Sequence, residues 1–151
     1  MYAGALPGRR SEDGAPLAAY REGLRIIRRG AGEGATLIGC GAPLLPSIGL
    51  VDAMRVGPDV LPEPGRGDED IRGAIAKALQ VTRARAWMNG RLWVSDPDCL
   101  VTRPEIPERE TWASHVSSYG GLVVSSDRLD ELDGRGLELT RSALSREAAA
   151  S

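Results

Sequence analysis

The segment LIGCGAPLLPSIGLVDAMRVGPD, residues 37–59, decides the fold class of this 151-residue chain. It holds two short apolar runs, at 35–39 and 50–56, separated by a loop that glycine and proline interrupt. Short runs that stay apolar throughout are typical of strands covered on both faces, as in a parallel sheet. The second run contains Arg55 near its end and is followed by Asp59, so charged side chains lie at the end of a strand. In α/β proteins, such strand ends are where functional residues lie.

Helical patterns alternate with these runs. Between Pro16 and Gly30, apolar residues recur at helical spacing and arginines occupy other positions, which predicts an amphipathic helix. Further helices are predicted from Ile71 to Met88, Glu108 to Tyr119 and Arg135 to Arg146, and further strands at 92–94 and 122–124. Four strands alternating with helices predict βαβ units and a parallel sheet. A complete (β/α)8 barrel takes about 250 residues, so either a doubly wound sheet or half a barrel fits.

Length and composition limit the classes of protein. We expect one domain over residues 1–146 and a short flexible tail at 147–151. The net charge of −2 comes from arginine and acidic residues mixed along the chain, which argues against a nucleic-acid partner. No charged leader precedes an apolar run, and no apolar stretch approaches about 18 residues. These features predict a cytoplasmic protein with no membrane partner.

The cysteines and the histidine give little support for a bound metal or cofactor. Cys40 and Cys99 are the only cysteines and His115 is the only histidine, too few for an ordinary zinc site. We expect no metal, no cofactor and two reduced thiols, because nothing indicates export. Gly39-Cys40-Gly41 could begin a dinucleotide-binding loop, but Leu44 occupies the third glycine position, and a strand follows instead of a helix.

Carboxylates lie on or just after the predicted strands. The residues concerned are Asp52, Asp59, Asp96, Asp98 and Asp127. A parallel sheet gathers strand ends on one rim, where carboxylates can serve in acid–base or nucleophilic catalysis or accept hydrogen bonds from sugar hydroxyls. Any one of them could instead cap a helix or order a turn.

Arg55 and Asp59 differ from the others because Gly57 and Pro58 turn the backbone between them. This geometry can direct both side chains into one pocket. A plain ion pair favours the ionised carboxylate, which suits a structural contact and opposes a general acid. A proton donor would need burial or a second carboxylate nearby. The residues alone leave a structural and a catalytic pair equally open.

Three segments closely resemble the α-galactosidase (melibiase) family of glycoside hydrolases. They are Arg55-Val56-Gly57-Pro58-Asp59, the loop from Gly39 to Gly49, and the stretch from Trp93 to Leu100. The opening Tyr2–Arg10 resembles the family's segment just after its fourth barrel strand. The resemblance implies about strands 5–8 of a (β/α)8 barrel, the second half. It also implies carbohydrate metabolism: hydrolysis of terminal α-galactosides with retention of configuration.

The resemblance also implies roles for individual residues. Asp59 matches the family's general acid/base, and Arg55 matches the arginine that helps to hold sugar hydroxyls and the catalytic carboxylates. Cys40 and Gly41 correspond to the loop that lines the sugar pocket, although Cys40 could equally be a structural thiol.

A second motif has a supporting role by the same resemblance. Asp96 and Asp98 match the family's Asn-Asp-Pro-Asp-Cys motif, with Ser95 in place of the asparagine. We expect Asp96 and Asp98, together with Asp52, to support the rim of the site without taking part in the chemistry.

The sequence departs from the family at the nucleophile, which is an aspartate in a Lys-x-Asp-Phe segment. The only lysine here is Lys77, in a predicted helix. Retaining hydrolysis needs two carboxyl groups about 5–5.5 Å apart, so we expect the isolated chain to be a truncated, inactive segment. Unpaired sheet edges would then favour self-association or pairing with an N-terminal half-barrel. The alternative is a non-catalytic half-barrel that binds sugar or a partner.

Overall fold

The structure, a computed structural model, describes residues 16–61 and 67–145. The predicted tail and the resemblance at Tyr2–Arg10 lie outside the described residues. The helices are α1 (Pro16–Ala31), α2 (Leu44–Ser47), α3 (Asp68–Arg85), α4 (Arg109–Tyr119) and α5 (Gly134–Leu144). The strands are β1 (Ile38–Gly39), β2 (Ala53–Arg55) and β3 (Val94–Asp96), and short 3-10 helices cover Ala86–Met88 and Leu129–Glu131.

The three strands form one parallel sheet in the order β1-β2-β3. Ile38, Ala53 and Val94 lie in one row across it, and the next rows pair Met54 with Ser95 and Arg55 with Asp96. The prediction of a mixed α/β fold with a parallel sheet is confirmed. Within the described part of the chain, no helix has the length and apolar character needed to cross a membrane.

The predicted strand at 122–124 is wrong as a regular strand. Residues 122–124 belong to no strand, and the residue after them, Ser125, makes a single parallel bridge with Leu100. The amide of Leu122 donates to the Ser95 carbonyl at 2.8 Å, and the amide of Leu100 donates to the Val124 carbonyl at 2.7 Å. Between these two hydrogen bonds, one segment advances by five residues, from Ser95 to Leu100, while the other advances by only two, from Leu122 to Val124. The two segments therefore cannot form a continuous ladder of hydrogen bonds.

Two hydrophobic clusters hold the helices on one face of the sheet. The larger surrounds Trp112 of α4, which is fully buried and donates its indole N–H to the Cys99 carbonyl at 2.9 Å. The smaller contains Met54, Val56 and Trp93 and receives Leu24 from α1. These clusters fix the strands against α3, α4 and α5, and so hold the carboxyl ends of the strands in place.

The opposite face of the sheet, called the open face below, is only partly covered in the described structure. Ile38 and Val94, in the two outer strands, are 50% and 46% exposed, although Ala53 between them is 4% exposed; Met54 and Ser95, on the other face, are fully buried. Helix α1 is amphipathic as predicted, but none of its residues is buried, and Leu17 and Ile27 are more than half exposed. Helix α1 and the open face therefore present apolar side chains to solvent.

Candidate functional site

The carboxyl ends of the strands bring three polar side chains into one row. Arg55 and Asp96 are register partners at the ends of β2 and β3, and Cys40 follows the last residue of β1. Side chains alternate along a strand, so Cys40, Arg55 and Asp96 share the open face with the row two residues before them, Ile38, Ala53 and Val94. The row joins residues that are far apart in the sequence.

Arg55 contacts two carboxylates, not one. Its Nη2 lies 2.7 Å from Oδ1 of Asp59 and 2.6 Å from Oδ2 of Asp98. Its Nη1 lies 3.9 Å from the sulfur of Cys40, a weak contact. The side chain of Arg55 is 16% exposed and that of Asp98 7%, whereas that of Asp59 is 79% exposed. The predicted Arg55–Asp59 contact is present, but Arg55 also has a buried counter-ion.

The electrostatics favour a permanently charged guanidinium. Burial by itself lowers the pKa of Arg55, but Asp98, followed by Cys40 and Asp59, outweighs this effect and raises it. Among the described residues, the buried Nε of Arg55 has no hydrogen-bond acceptor. The two terminal nitrogens therefore make all of the observed contacts.

Asp98 is hydrogen-bonded on both carboxylate oxygens. Oδ2 accepts from the Val60 amide at 2.7 Å, and Oδ1 accepts from the Cys99 amide at 2.7 Å. Its own amide donates to Oδ1 of Asp96 at 3.0 Å. Asp98 has a φ of 125°, a conformation that L-residues rarely adopt and that surrounding contacts must maintain. The Asp98 carboxylate therefore joins the loop after β3 to the loop after β2.

Gly57 allows these two loops to touch. The amide of Val56 donates to the Asp96 carbonyl at 2.8 Å, and a Cβ at Gly57 would fall on the carbonyl oxygen of Pro97. Only glycine fits this close approach without movement of the backbone. The glycine of the Arg-x-Gly-Pro-Asp segment therefore has a packing role, because it holds Asp59 beside the end of β3.

Asp96 lies in the same row and is partly buried. Burial raises the pKa of its carboxyl group, and the nearby charge of Asp98 adds to this, while the Asp98 amide and Arg55 act in the opposite direction. The carboxyl group of Asp96 is therefore easier to protonate than that of an exposed aspartate. Its observed contact is structural, since it accepts the Asp98 amide.

The remaining predicted residues are placed differently. Gly41 is exposed directly after Cys40, with a φ of 61°, in the left-handed region that favours glycine. Asp52 precedes β2, at the opposite end of that strand from Arg55, and accepts from the Leu37 amide and from Arg28, both at 2.7 Å. The Leu37 hydrogen bond, followed by Arg28, lowers the pKa of Asp52. Asp52 is thus not part of the group around Arg55.

Asp127, directly after residues 122–126, makes contacts comparable to those of Asp98. Its side chain is 1% exposed, and it lies 2.7 Å from Nη1 of Arg103. It also accepts hydrogen bonds from the amides of Thr102 and Arg103.

The contact between Asp98 and Arg55 was not predicted from the sequence, which indicated only that Asp98 supports the rim. No local spacing signals that contact, because the loops meet only through the fold.

The other polar groups of the described residues show no metal-ligand cluster and no serine–histidine pair. No cluster of three potential metal ligands occurs there, and both cysteines are free thiols. His115 lines a cleft of about 570 Å³ between α3 and α4 that also contains Ser114 and Ser118. Its Nε2 lies 2.8 Å from the Thr82 hydroxyl, so the described contacts do not pair a serine hydroxyl with this imidazole.

Comparison with solved structures gives matches to an α-galactosidase. No protein-family model matches the sequence. The fold is similar to that of TtGalA, an α-galactosidase from Thermus thermophilus, in a complex with stachyose: the TM-score is 0.71 at 30% identity, over 87% of this chain and 31% of that one. A complex of the same enzyme with p-nitrophenyl α-D-galactopyranoside gives a TM-score of 0.70 at 30% identity, over 87% and 29% of the respective chains.

The chain thus spans about a third of the length of the enzyme it matches, since it covers 31% and 29% of those two chains. The match agrees with the family that the Arg55–Asp59, Gly39–Gly49 and Trp93–Leu100 segments resemble. The fold of this chain is therefore α-galactosidase-like.

Proposed function

We propose that these residues form part of a retaining glycoside hydrolase that acts on terminal α-galactosides, with Asp59 as its general acid/base. The observation that carries the proposal is an exposed Asp59 carboxylate in contact with Arg55, which Asp98 also binds. These residues lie at the ends of the strands in a fold similar to that of an α-galactosidase. An exposed carboxylate at the carboxyl edge of a parallel sheet can reach a substrate that binds over the strand ends. Arg55 would orient it and bind sugar hydroxyls.

Cys40 and Gly41 would line the sugar pocket in this proposal. They lie on the same edge as Arg55, in the loop after β1, and both are exposed. Asp96 and Asp98 would support the site without taking part in the chemistry. The reaction needs no metal or cofactor, because two carboxyl groups are sufficient for glycoside hydrolysis with retention.

The nucleophile would come from residues outside these 151. Lys77, the only lysine, lies on α3, so the sequence contains no Lys-x-Asp segment. The proposed architecture is the second half of a (β/α)8 barrel over residues 1–146, with 147–151 as a tail. The exposed side chains of Ile38 and Val94 support it, because in a closed barrel this face is covered by the other strands.

The decisive experiment replaces the matching segment of TtGalA with these 151 residues and measures hydrolysis of p-nitrophenyl α-D-galactopyranoside. We expect turnover that Asp59→Asn lowers about 10²-fold or more, the usual contribution of a general acid/base. Asp68→Asn, at an exposed position in the first turn of α3, is the matched control and should have little effect. A folded chimera whose turnover does not depend on Asp59 would contradict the proposal.

The chain alone should not hydrolyse the same substrate, because one carboxylate cannot serve as both nucleophile and acid/base. Turnover by the purified chain that Asp59→Asn abolishes would show that the second carboxylate is present after all.

A non-catalytic half-barrel that binds sugar or a protein partner is the second candidate. The open apolar face and the exposed side chains of α1 favour it, since both are surfaces that a partner or a second copy could cover. It predicts galactose binding by the chain, measured by calorimetry, together with an inactive chimera. Either candidate predicts self-association of the chain alone, and a monodisperse monomer by sedimentation would contradict this expectation.

A further inference from the structure

Arg55 lies between two carboxylates whose surroundings differ. Its Nη2 is 2.6 Å from Asp98, whose side chain is 7% exposed, and 2.7 Å from Asp59, whose side chain is 79% exposed. Charge interactions are stronger where water is excluded and weaker where solvent screens them. The short distances are nearly equal, so burial makes Asp98 the stronger partner. Asp59 is the partner that can leave.

Asp98 is also held in position on its own side. One backbone amide binds each of its oxygens, from Val60 and from Cys99, both at 2.7 Å. Val60 directly follows Asp59, so the Asp98 carboxylate fixes the backbone that carries the proposed acid/base. The φ of 125° at Asp98 places the carboxylate in this position at a conformational cost that its contacts must offset.

The charge balance gives this arrangement a function in the proposed reaction. A general acid/base gains and loses a proton in each catalytic cycle. If Asp59 were the only anion beside Arg55, each protonation would leave a largely buried guanidinium without a counter-ion, which is unfavourable. With Asp98 present, Arg55 stays paired in both protonation states of Asp59, so its geometry does not change.

We propose that Asp98 is a positioning residue: the permanent counter-ion of Arg55 and the anchor of residues 56–60, which leaves Asp59 free to exchange its proton. This inference rests on the proposed function of Asp59. The Arg55–Asp98 contact itself can be tested without sugar or turnover, so a failure of the two proposals can be distinguished.

The first experiment records the guanidinium signals of Arg55 by ¹⁵N NMR in the chain, assigned with Arg55→Lys. Asp59→Asn represents the protonated acid/base, and its exposed position makes it compatible with folding. We expect hindered rotation of the Arg55 guanidinium in the wild type and in Asp59→Asn, and averaged signals in Asp98→Asn. Averaged signals in Asp59→Asn would overturn the proposal even if Asp98→Asn did not fold.

Asp127→Asn is the matched control, because the Asp127 side chain is likewise buried and binds two backbone amides and an arginine. Hydrogen exchange of the backbone amides should affect a different amide in each of the two variants. Asp98→Asn should increase the exchange rate of Val60 about tenfold and leave Thr102 unchanged, while Asp127→Asn does the reverse. Equal acceleration at both amides in either variant would indicate general loosening and contradict a specific anchor.

Titration with galactose then tests whether the contacts of Asp98 affect sugar binding. We expect Asp98→Asn to raise the Kd for galactose about tenfold, and Asp127→Asn to leave it unchanged. Equal affinities in Asp98→Asn and the wild type would contradict a positioning role. If the folded wild type shows no galactose binding, the proposed function loses support, while the NMR result still decides the Arg55–Asp98 contact.

Discussion

Two helices of the described chain, α4 and α1, differ in how far their apolar side chains are buried. Helix α4 buries Trp112, Ala113 and Val116 almost completely among α3, α5 and the loops after β2 and β3. Helix α1 is longer and amphipathic, but none of its residues is buried. An apolar stripe therefore indicates which side chains can be buried. Whether they are buried depends on what packs against them.

The largest expected effect concerns the closed region. Trp112→Ala should lower the free energy of unfolding by about 3–5 kcal/mol, because it removes a fully buried side chain and leaves a cavity. Urea denaturation followed by circular dichroism gives this value. A loss below about 1 kcal/mol would mean that the region around α4 is as loosely packed as α1.

The next effect concerns the contact between the strand-end loops. Gly57→Ala places a methyl group on the Pro97 carbonyl and should cost about 1–3 kcal/mol, the usual cost of overpacking. Gly73→Ala is the matched control: nothing lies within 4 Å of its added Cβ on α3, and the change should stabilise the helix by about 0.5–1 kcal/mol. Equal effects from the same denaturation curves would disprove close contact between the loops.

A smaller effect depends on pH and on the α3–α4 contact. Burial, and then Arg83, lowers the pKa of His115, so the folded chain binds its proton less readily than the unfolded chain. Stability should therefore fall as pH decreases from about 6.5, the unfolded value, towards the lower folded value. His115→Gln should flatten the stability curve in that window. An unchanged slope between pH 7 and 5.5 would show that His115 is not responsible.

The smallest effect belongs to α1. Ile27→Ser should change the stability of the monomer by no more than about 0.5 kcal/mol, because the side chain is 55% exposed. Sedimentation should show weaker self-association, since the change removes an exposed apolar group. A loss of several kcal/mol in dilute solution would mean that α1 is buried, and would remove the contrast with α4.

Much of the helical structure could be read from local patterns. Helices α1, α3, α4 and α5 occur where the apolar spacing predicts them, because that spacing depends only on the geometry of the helix. Helix α2 was not predicted, since its four residues include Pro46 and are too few to show a period. Strand positions were less accurate: β3 begins two residues after the predicted start, and residues 122–124 form no strand.

In the site, too, contacts between residues close in the sequence were predicted and contacts between distant residues were not. Arg55 and Asp59 are four residues apart, and their contact was predicted from the turn between them. Asp98 comes from another loop, so its contact with Arg55 depends on the register of β2 with β3. Asp52 was expected at the rim, but it lies at the other end of β2 because a three-residue strand separates its two ends.

The sequence by itself determined the alternation of helices and strands, the turn at Gly57 and Pro58, and the proximity of Arg55 to Asp59. These features depend on neighbours within a few residues. Only the tertiary structure decided that Asp98 is the buried partner of Arg55, and that one sheet face and α1 have exposed apolar side chains. Such properties depend on which distant segments meet, and on how much water the contact excludes.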